Sequence, residues 1–128
     1  MKQLVTEIIL VFFVLVSTVG ITAGIILHRK SQVTDKVELL ARAPEKGNWF
    51  PKEITVDFGK EANILIRNVD TASHGFYLPE FDVDRGEIRA GEVKNVTFIA
   101  DKKGRFPFYC SIWCGDYHMQ MRGTLIVK

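Results

Sequence analysis

Two cysteines, a histidine and a methionine fall at close, regular spacing near the end of the chain: Cys110-Ser-Ile-Trp-Cys114-Gly-Asp-Tyr-His118-Met-Gln-Met121, a C-x3-C-x3-H-x2-M pattern. Thiolate, imidazole and thioether are soft donors, and that combination suits copper. There is no other cysteine in the chain, and of its 3 histidines only His74 and His118 lie outside the N-terminal segment. All the strong soft donors beyond that segment can therefore belong to one site.

The Cys114-x3-His118-x2-Met121 half alone reads as a mononuclear copper loop, which takes one Cys, two His and a weak axial Met. Cys110 is surplus to such a site. A second thiolate four residues upstream makes sense when both sulfurs bridge a pair of copper ions, each completed by one histidine, and His74 and His118 supply that pair. The axial positions then fall to the Met121 thioether and to a backbone carbonyl between the cysteines; a carbonyl needs no particular side chain, so Ile112 can serve. Two other readings use fewer of these residues. Cys110 and Cys114 can pair as a disulfide if the domain lies outside the cytoplasm, which leaves His74, His118 and Met121 unexplained. A Cys2His2 set also satisfies a tetrahedral structural zinc.

From about residue 37 to residue 128 the chain resembles a known family, the binuclear CuA copper domain of cytochrome c oxidase subunit II, which nitrous oxide reductase shares. The resemblance is carried by Ser73-His74-Gly-Phe-Tyr-Leu-Pro79, by Ala90-Gly91-Glu92, by Cys110 to Met121, and by Arg122-Gly123-Thr-Leu-Ile-Val127. It implies that His74, Cys110, Ile112 through its carbonyl, Cys114, His118 and Met121 bind two coppers. His74 and Met121 would sit on one ion, His118 and the carbonyl on the other. It further implies an electron-transfer subunit with no catalytic centre of its own, taking electrons from cytochrome c or a small copper protein and passing them to haem-copper oxidase subunit I.

Two features set this chain apart from parts of that family. Many mitochondrial-type subunits carry a glutamate in place of Ile112 that also binds magnesium, which an isoleucine side chain cannot do. The run His118-Met-Gln-Met-Arg-Gly123 is closer to nitrous oxide reductase, an enzyme that needs a large histidine-rich catalytic domain. The alternative function is a free-standing membrane-anchored copper-binding or copper-delivery cupredoxin, or an electron donor to another reductase. Metal handlers usually expose Met- or His-rich tracts, and the sequence has none.

Ligands drawn from two distant segments need a rigid frame. Segments 37–43, 54–58, 63–68, 93–99, 106–110 and 124–127 are rich in β-branched and aromatic residues and read as strands. Turn signals fall at Asp57-Phe-Gly-Lys60, Ala90-Gly91-Glu92 and Asp101-Lys-Lys-Gly104. Many short strands in so short a span predict an all-β fold, a small antiparallel Greek-key sandwich or barrel. The cupredoxin fold implied by the resemblance is of that kind. In it His74 ends one strand and the Cys110-to-Met121 loop joins the last two. Glu80, Asp82, Asp84 and Glu87, interrupted by Arg85, read as a solvated loop or as a surface that steers a basic cytochrome. Most of the aromatic residues read as filling the core of a small β domain, while Trp49 could instead be an exposed point through which electrons pass.

The first thirty residues are of another kind. Residues 8–27 carry no charge and are followed by His28-Arg29-Lys30; as a helix this run is about 30 Å long, enough to cross the hydrocarbon core of a membrane. It exceeds the usual apolar stretch of a signal peptide and no A-x-A site follows, so a retained anchor is expected. The expected organisation is an anchor at 4–28, a linker at 29–36 and the copper domain at 37–128. The net charge of +2 arises in the first thirty residues, where Lys2, Arg29 and Lys30 outnumber Glu7. The remainder is balanced and offers no basic field for nucleic acid. Basic residues flank the span on both sides, so the positive-inside rule does not favour export of the C-terminal domain. Long domains can translocate regardless of flanking charge, and the resemblance implies a single-pass protein of the cell membrane with its copper domain on the periplasmic, extracytoplasmic side.

Overall fold

The computed structural model describes residues 2–32 and 36–128, and the chain divides into two compact units that meet in sequence after Gln32. The first unit is a single helix, α1 (Lys2–Gln32). Within it Val5–Ile26, 22 residues of mean hydropathy 2.6, is long and apolar enough to cross a membrane. Large apolar side chains are exposed around its whole circumference, a pattern suited to lipid rather than water as solvent. Three hydroxyls in its middle are satisfied within the helix: Ser17 Oγ donates to the Val14 carbonyl, Thr18 Oγ1 to Leu15 and Thr22 Oγ1 to Thr18, each at 2.9 Å. In hydrocarbon, where no water can answer a polar group, such internal pairing is required. Because α1 runs to Gln32, residues 29–32 of the expected linker are helical, and 33–35 lie outside the described residues.

The second unit is a β sandwich. Its strands are β1 (Val37–Ala41), β2 (Glu53–Val56), β3 (Glu61–Asn68), β4 (His74–Leu78), β5 (Val83–Ile88), β6 (Val93–Ile99), β7 (Gly104–Tyr109) and β8 (Arg122–Val127). They form a three-stranded sheet in the order β1-β3-β6 and a five-stranded sheet in the order β2-β8-β7-β4-β5. Side chains on a strand alternate between faces, and the alternation in β3 buries Ala62, Ile64 and Ile66 while that in β8 buries Gly123, Leu125 and Val127. Between the sheets lies an aromatic cluster. Trp49 packs edge-on against Phe76 (centroids 5.9 Å apart) and Phe108 (5.7 Å), a geometry that aromatic quadrupoles favour. Trp49 is 0% exposed, so the expectation of a surface tryptophan is overturned: the largest apolar ring in this segment stabilises most by filling the core.

Two strands escape the sequence pattern. The segment Val83–Ile88, expected as a solvated acidic loop, is the edge strand β5, paired only with β4 within its sheet. Edge strands carry charges that discourage pairing with other chains, and those charges erase the apolar alternation by which a strand is read. Acids in and just before it are in part already answered: Glu87 pairs with Arg89 at 3.7 Å, and Glu80, in the turn Pro79–Phe81, pairs with Lys102 at 2.6 Å. β4 is the other, nearly all buried and so without alternation. Nor is the pairing all antiparallel, since β1 runs parallel to β3 and β2 parallel to β8. The chain crosses from one sheet to the other after β1 and back after β2, so neither pair is joined by a hairpin, the connection that imposes antiparallel pairing.

One interior strand of this frame is under tight steric control. β8 lies between β2 and β7, and at Gly123 an added Cβ would stand 2.6 Å from Phe108 Cε2 and 2.8 Å from the Lys52 carbonyl oxygen. Gly123→Ala should therefore destabilise the metal-free protein by roughly 1–3 kcal/mol through overpacking. The measurement is the denaturant midpoint, and a midpoint equal to wild type would show that the core relaxes freely around the methyl group.

Candidate metal centre

β4, β7 and β8 are neighbours in one sheet, and this adjacency builds the site. β4 begins at His74, β7 hands the chain to Cys110, and Met121 hands it to β8. The Cys110 amide donates to the Met121 carbonyl at 3.0 Å, which closes the loop at its base. Gly115, at φ 139°, occupies a region that side chains avoid, and His118–Gln120 form one 3-10 turn. β4 meets the loop closely at Gly75, where an added Cβ would lie 2.8 Å from Ile112 Cγ1 and 3.0 Å from its amide nitrogen. The Gly75 amide donates to Cys110 Sγ at 3.4 Å.

The expected donors converge. Cys110 Sγ and Cys114 Sγ are 3.8 Å apart, both as free thiols. His74 Nδ1 lies 3.9 Å from Cys110 Sγ, and His118 Nδ1 lies 3.5 Å from Cys114 Sγ. The Ile112 carbonyl oxygen is 3.1 Å from Cys110 Sγ, and Met121 Sδ is 3.7 Å from Cys114 Sγ. Donor atoms of His74, Cys110 and Cys114 all fall within 4.8 Å of one another. Two donors on one ion, at bond lengths of about 2.0–2.3 Å and tetrahedral angles, stand roughly 3.3–3.8 Å apart. The residues therefore fit a soft metal ion.

Burial sets the protonation chemistry. His74 is 0% exposed and Met121 1%. Burial lowers the His74 pKa, partly opposed by Asp70, so the ring is held neutral, the form that binds metal. Burial, reinforced by the adjacent Cys110, pushes the Cys114 thiol up to about 12. Two thiolates this close in so dry a place are unfavourable without a cation between them.

Asp70, which the sequence pattern does not single out, organises the histidine side. Its Oδ2 accepts from the Ala43 amide at 2.8 Å and lies 3.3 Å from His74 Nε2. Its Oδ1 accepts from Lys46 Nζ at 2.6 Å and from the Thr71 amide at 2.7 Å. A ring proton on Nε2 shared with Asp70 leaves the Nδ1 lone pair facing Cys110. Burial alone would raise the Asp70 pKa, but Lys46 and the two amides outweigh it and hold the carboxyl well below the usual carboxylate range. Asn48, in the left-handed region at φ 62°, ties its own loop to the ligand loop by donating from Nδ2 to the Gln120 carbonyl at 2.9 Å. The signal available in sequence was an acid four residues before a candidate ligand, in a loop with little else to do. Within the ligand loop Trp113 packs its ring against His118 at 5.5 Å yet remains 70% exposed.

Comparison with known proteins accords with this geometry. The family of cupredoxin-like domains matches residues 9–127. The chain belongs to that family. This cupredoxin is 34% identical over 95 residues to nitrous-oxide reductase of Ralstonia nicotianae, covering 72% of this chain and 14% of that one. It is 32% identical over 80 residues to cytochrome c oxidase subunit 2 of Thermus thermophilus, covering 62% of this chain and 58% of the relative. The chain thus spans a small part of the reductase and little more than half of the oxidase subunit. The periplasmic domain of subunit II of cytochrome oxidase from Bradyrhizobium japonicum shares the fold, with TM-score 0.62 and 20% identity over 74% of this chain and 85% of that one. Cupredoxin fold and the convergence of His74 with two cysteines together point to copper binding.

The Asp70 network makes a pH-dependent contribution. A carboxyl whose pKa is lower folded than unfolded adds stability above its unfolded pKa, about 4, and loses it as pH falls toward the folded value. Asp70→Asn is expected to cost the metal-free protein about 2 kcal/mol at neutral pH and to flatten its acid limb below about pH 4. Denaturation midpoints across that range decide; a variant with the wild-type midpoint and acid limb would remove Asp70 from the stabilising network.

Proposed function

We propose that the cupredoxin domain, taken as residues 37–128, carries a binuclear CuA centre and acts as the membrane-anchored electron-transfer subunit of a haem-copper terminal oxidase. The observation that carries this reading is the paired donor set. Cys110 and Cys114, 3.8 Å apart, each have an imidazole of their own, His74 at 3.9 Å and His118 at 3.5 Å. A single copper ion does not need the second thiol, and six donors exceed the four that a structural zinc takes. His74, Cys110, Ile112 through its carbonyl, Cys114, His118 and Met121 would hold the two ions. When bound, the copper pair supplies a centre that accepts and gives up one electron at a time.

The chain's own residues supply the conditions for that exchange. The neighbouring strands β4, β7 and β8 fix the ligand positions, so little has to move when the charge changes. Buried His74 and Met121 and nearly buried thiols keep water from the ligands, and Asp70 holds the His74 ring. Trp113, exposed on one face and packed on His118 with the other, offers an apolar surface for an electron donor, cytochrome c or a small copper protein. Oxygen reduction falls to the haem-copper subunit I. Homology to oxidase subunit 2 over 80 residues supports that partner. The apolar helix α1 supports anchoring in the cell membrane, and likeness to oxidase subunit 2 favours placing the copper domain on the periplasmic side.

Fully loaded protein should contain two copper ions per chain and show the spectrum of a delocalised mixed-valence pair, while Cys110→Ser should hold one ion or none. Metal analysis with optical and paramagnetic resonance spectra tests this. One ion per loaded wild-type chain, or an unchanged spectrum in Cys110→Ser, would exclude bridging thiolates.

Extraction of the full chain from its native membrane in mild detergent should yield it together with a haem-containing integral subunit. In that complex, reduced copper should be reoxidised by oxygen only while the haem subunit is present. Recovery of the copper protein alone would favour the free-standing cupredoxin.

A further inference from the structure

We propose that Met119 is the capture residue through which copper(I) reaches the buried thiols, an inference that rests on the centre being a copper site as read above. A cavity of about 240 Å3, lined by Tyr109, Cys110, His118, Met119 and Met121, joins the protein surface to the donor set. Met119 is 79% exposed, the most exposed large apolar side chain among the described residues, whereas Met121 is 1% exposed and Cys110 and Cys114 are 6% and 9%. One short turn, His118–Gln120, thus sets one thioether outside the site and, through the residue that follows it, one inside.

An apolar side chain so exposed gains nothing from burial, and what it does offer is a soft sulfur donor. A thioether carries no proton, so it takes copper(I) without first losing one. A thiol must release its proton before it binds metal. A neutral thioether also holds the ion weakly, as a passing station requires.

Two ligand exchanges make up the transfer. The bond between copper(I) and its carrier breaks as the bond to Met119 Sδ forms. Copper then passes to Cys110: the Cys110 sulfur–copper bond forms, its thiol proton goes to water, and the Met119 Sδ–copper bond breaks. Copper stays in the +1 state throughout and no electron is exchanged.

A residue that lies on the path but is not a ligand in the filled site has a distinctive kinetic signature. Uptake and release follow the same path in opposite directions, so losing the residue slows both by one factor and leaves the affinity unchanged. A lost ligand would instead speed release.

The test uses the full-length metal-free protein in mild detergent, loaded from the copper(I)–bicinchoninate complex and unloaded by excess bicinchoninate. Met119→Leu, which keeps the shape and removes the sulfur, should load and unload about three- to tenfold more slowly than wild type. Its final copper content, spectrum and reduction potential should be unchanged, whereas Met121→Leu should shift the potential. Met119→His, which restores a donor at that position, should load faster than the leucine variant. Equal loading rates for wild type and Met119→Leu would overturn the proposal, as would slower loading accompanied by faster release. Failure of the wild type to take up copper at all would instead overturn the copper reading on which the proposal stands.

Discussion

Two sulfur atoms held 3.8 Å apart and nearly out of water are the constraint around which this end of the sandwich is arranged. As thiols they are neutral and easily buried; as thiolates they would repel one another in a medium that screens poorly. The frame therefore does not stabilise the charged form itself. It brings the sulfurs, two imidazole nitrogens, a carbonyl and a thioether close together, and a bound soft metal ion would supply the compensating positive charge.

Holding that arrangement takes residues that never touch a metal. Asp70 connects the His74 ring to Lys46 and to the Ala43 and Thr71 amides, so a buried carboxylate is fully engaged where an unpaired one would be costly. Asn48 fastens the opposite side of the loop. Both sets of contacts involve the segment between β1 and β2, through Ala43 and Lys46 in one and Asn48 in the other, and the same segment delivers Trp49 to the core. One crossing segment thus packs the sandwich and braces its ligand loop. Destabilising the core there and loosening the site are the same physical event.

The helix and the domain answer to different solvents. In α1 the apolar surface is outermost and the hydroxyls turn back onto the backbone. In the domain the apolar faces turn inward and charge is left on the edge strand β5. Under the proposed function, anchoring would confine the domain to the surface where an electron-transfer partner resides and raise their effective concentration without any added contact.

The sequence by itself named the candidate donors of the loop, because C-x3-C-x3-H-x2-M places the only two cysteines, a histidine and a methionine within twelve consecutive positions, and local spacing survives any fold. It also determined the apolar helix, since twenty uncharged residues admit few other uses, and most of the strands whose faces alternate between core and solvent. Only the tertiary structure decided what depends on neighbours distant in the chain. β5 was illegible because an edge strand wears charges, and β4 because a strand buried on nearly every residue does not alternate. The parallel pairs β1–β3 and β2–β8 arise from crossings between sheets, which leave no turn signature. Trp49 could be read as surface or core until the sheets closed over it, and Asp70 became part of the site only when its loop brought it to His74 and Lys46. A single sequence records which groups are available and at what local spacing; which of them share an electrostatic environment is decided by packing, where residues far apart in the chain meet in a medium from which water has gone.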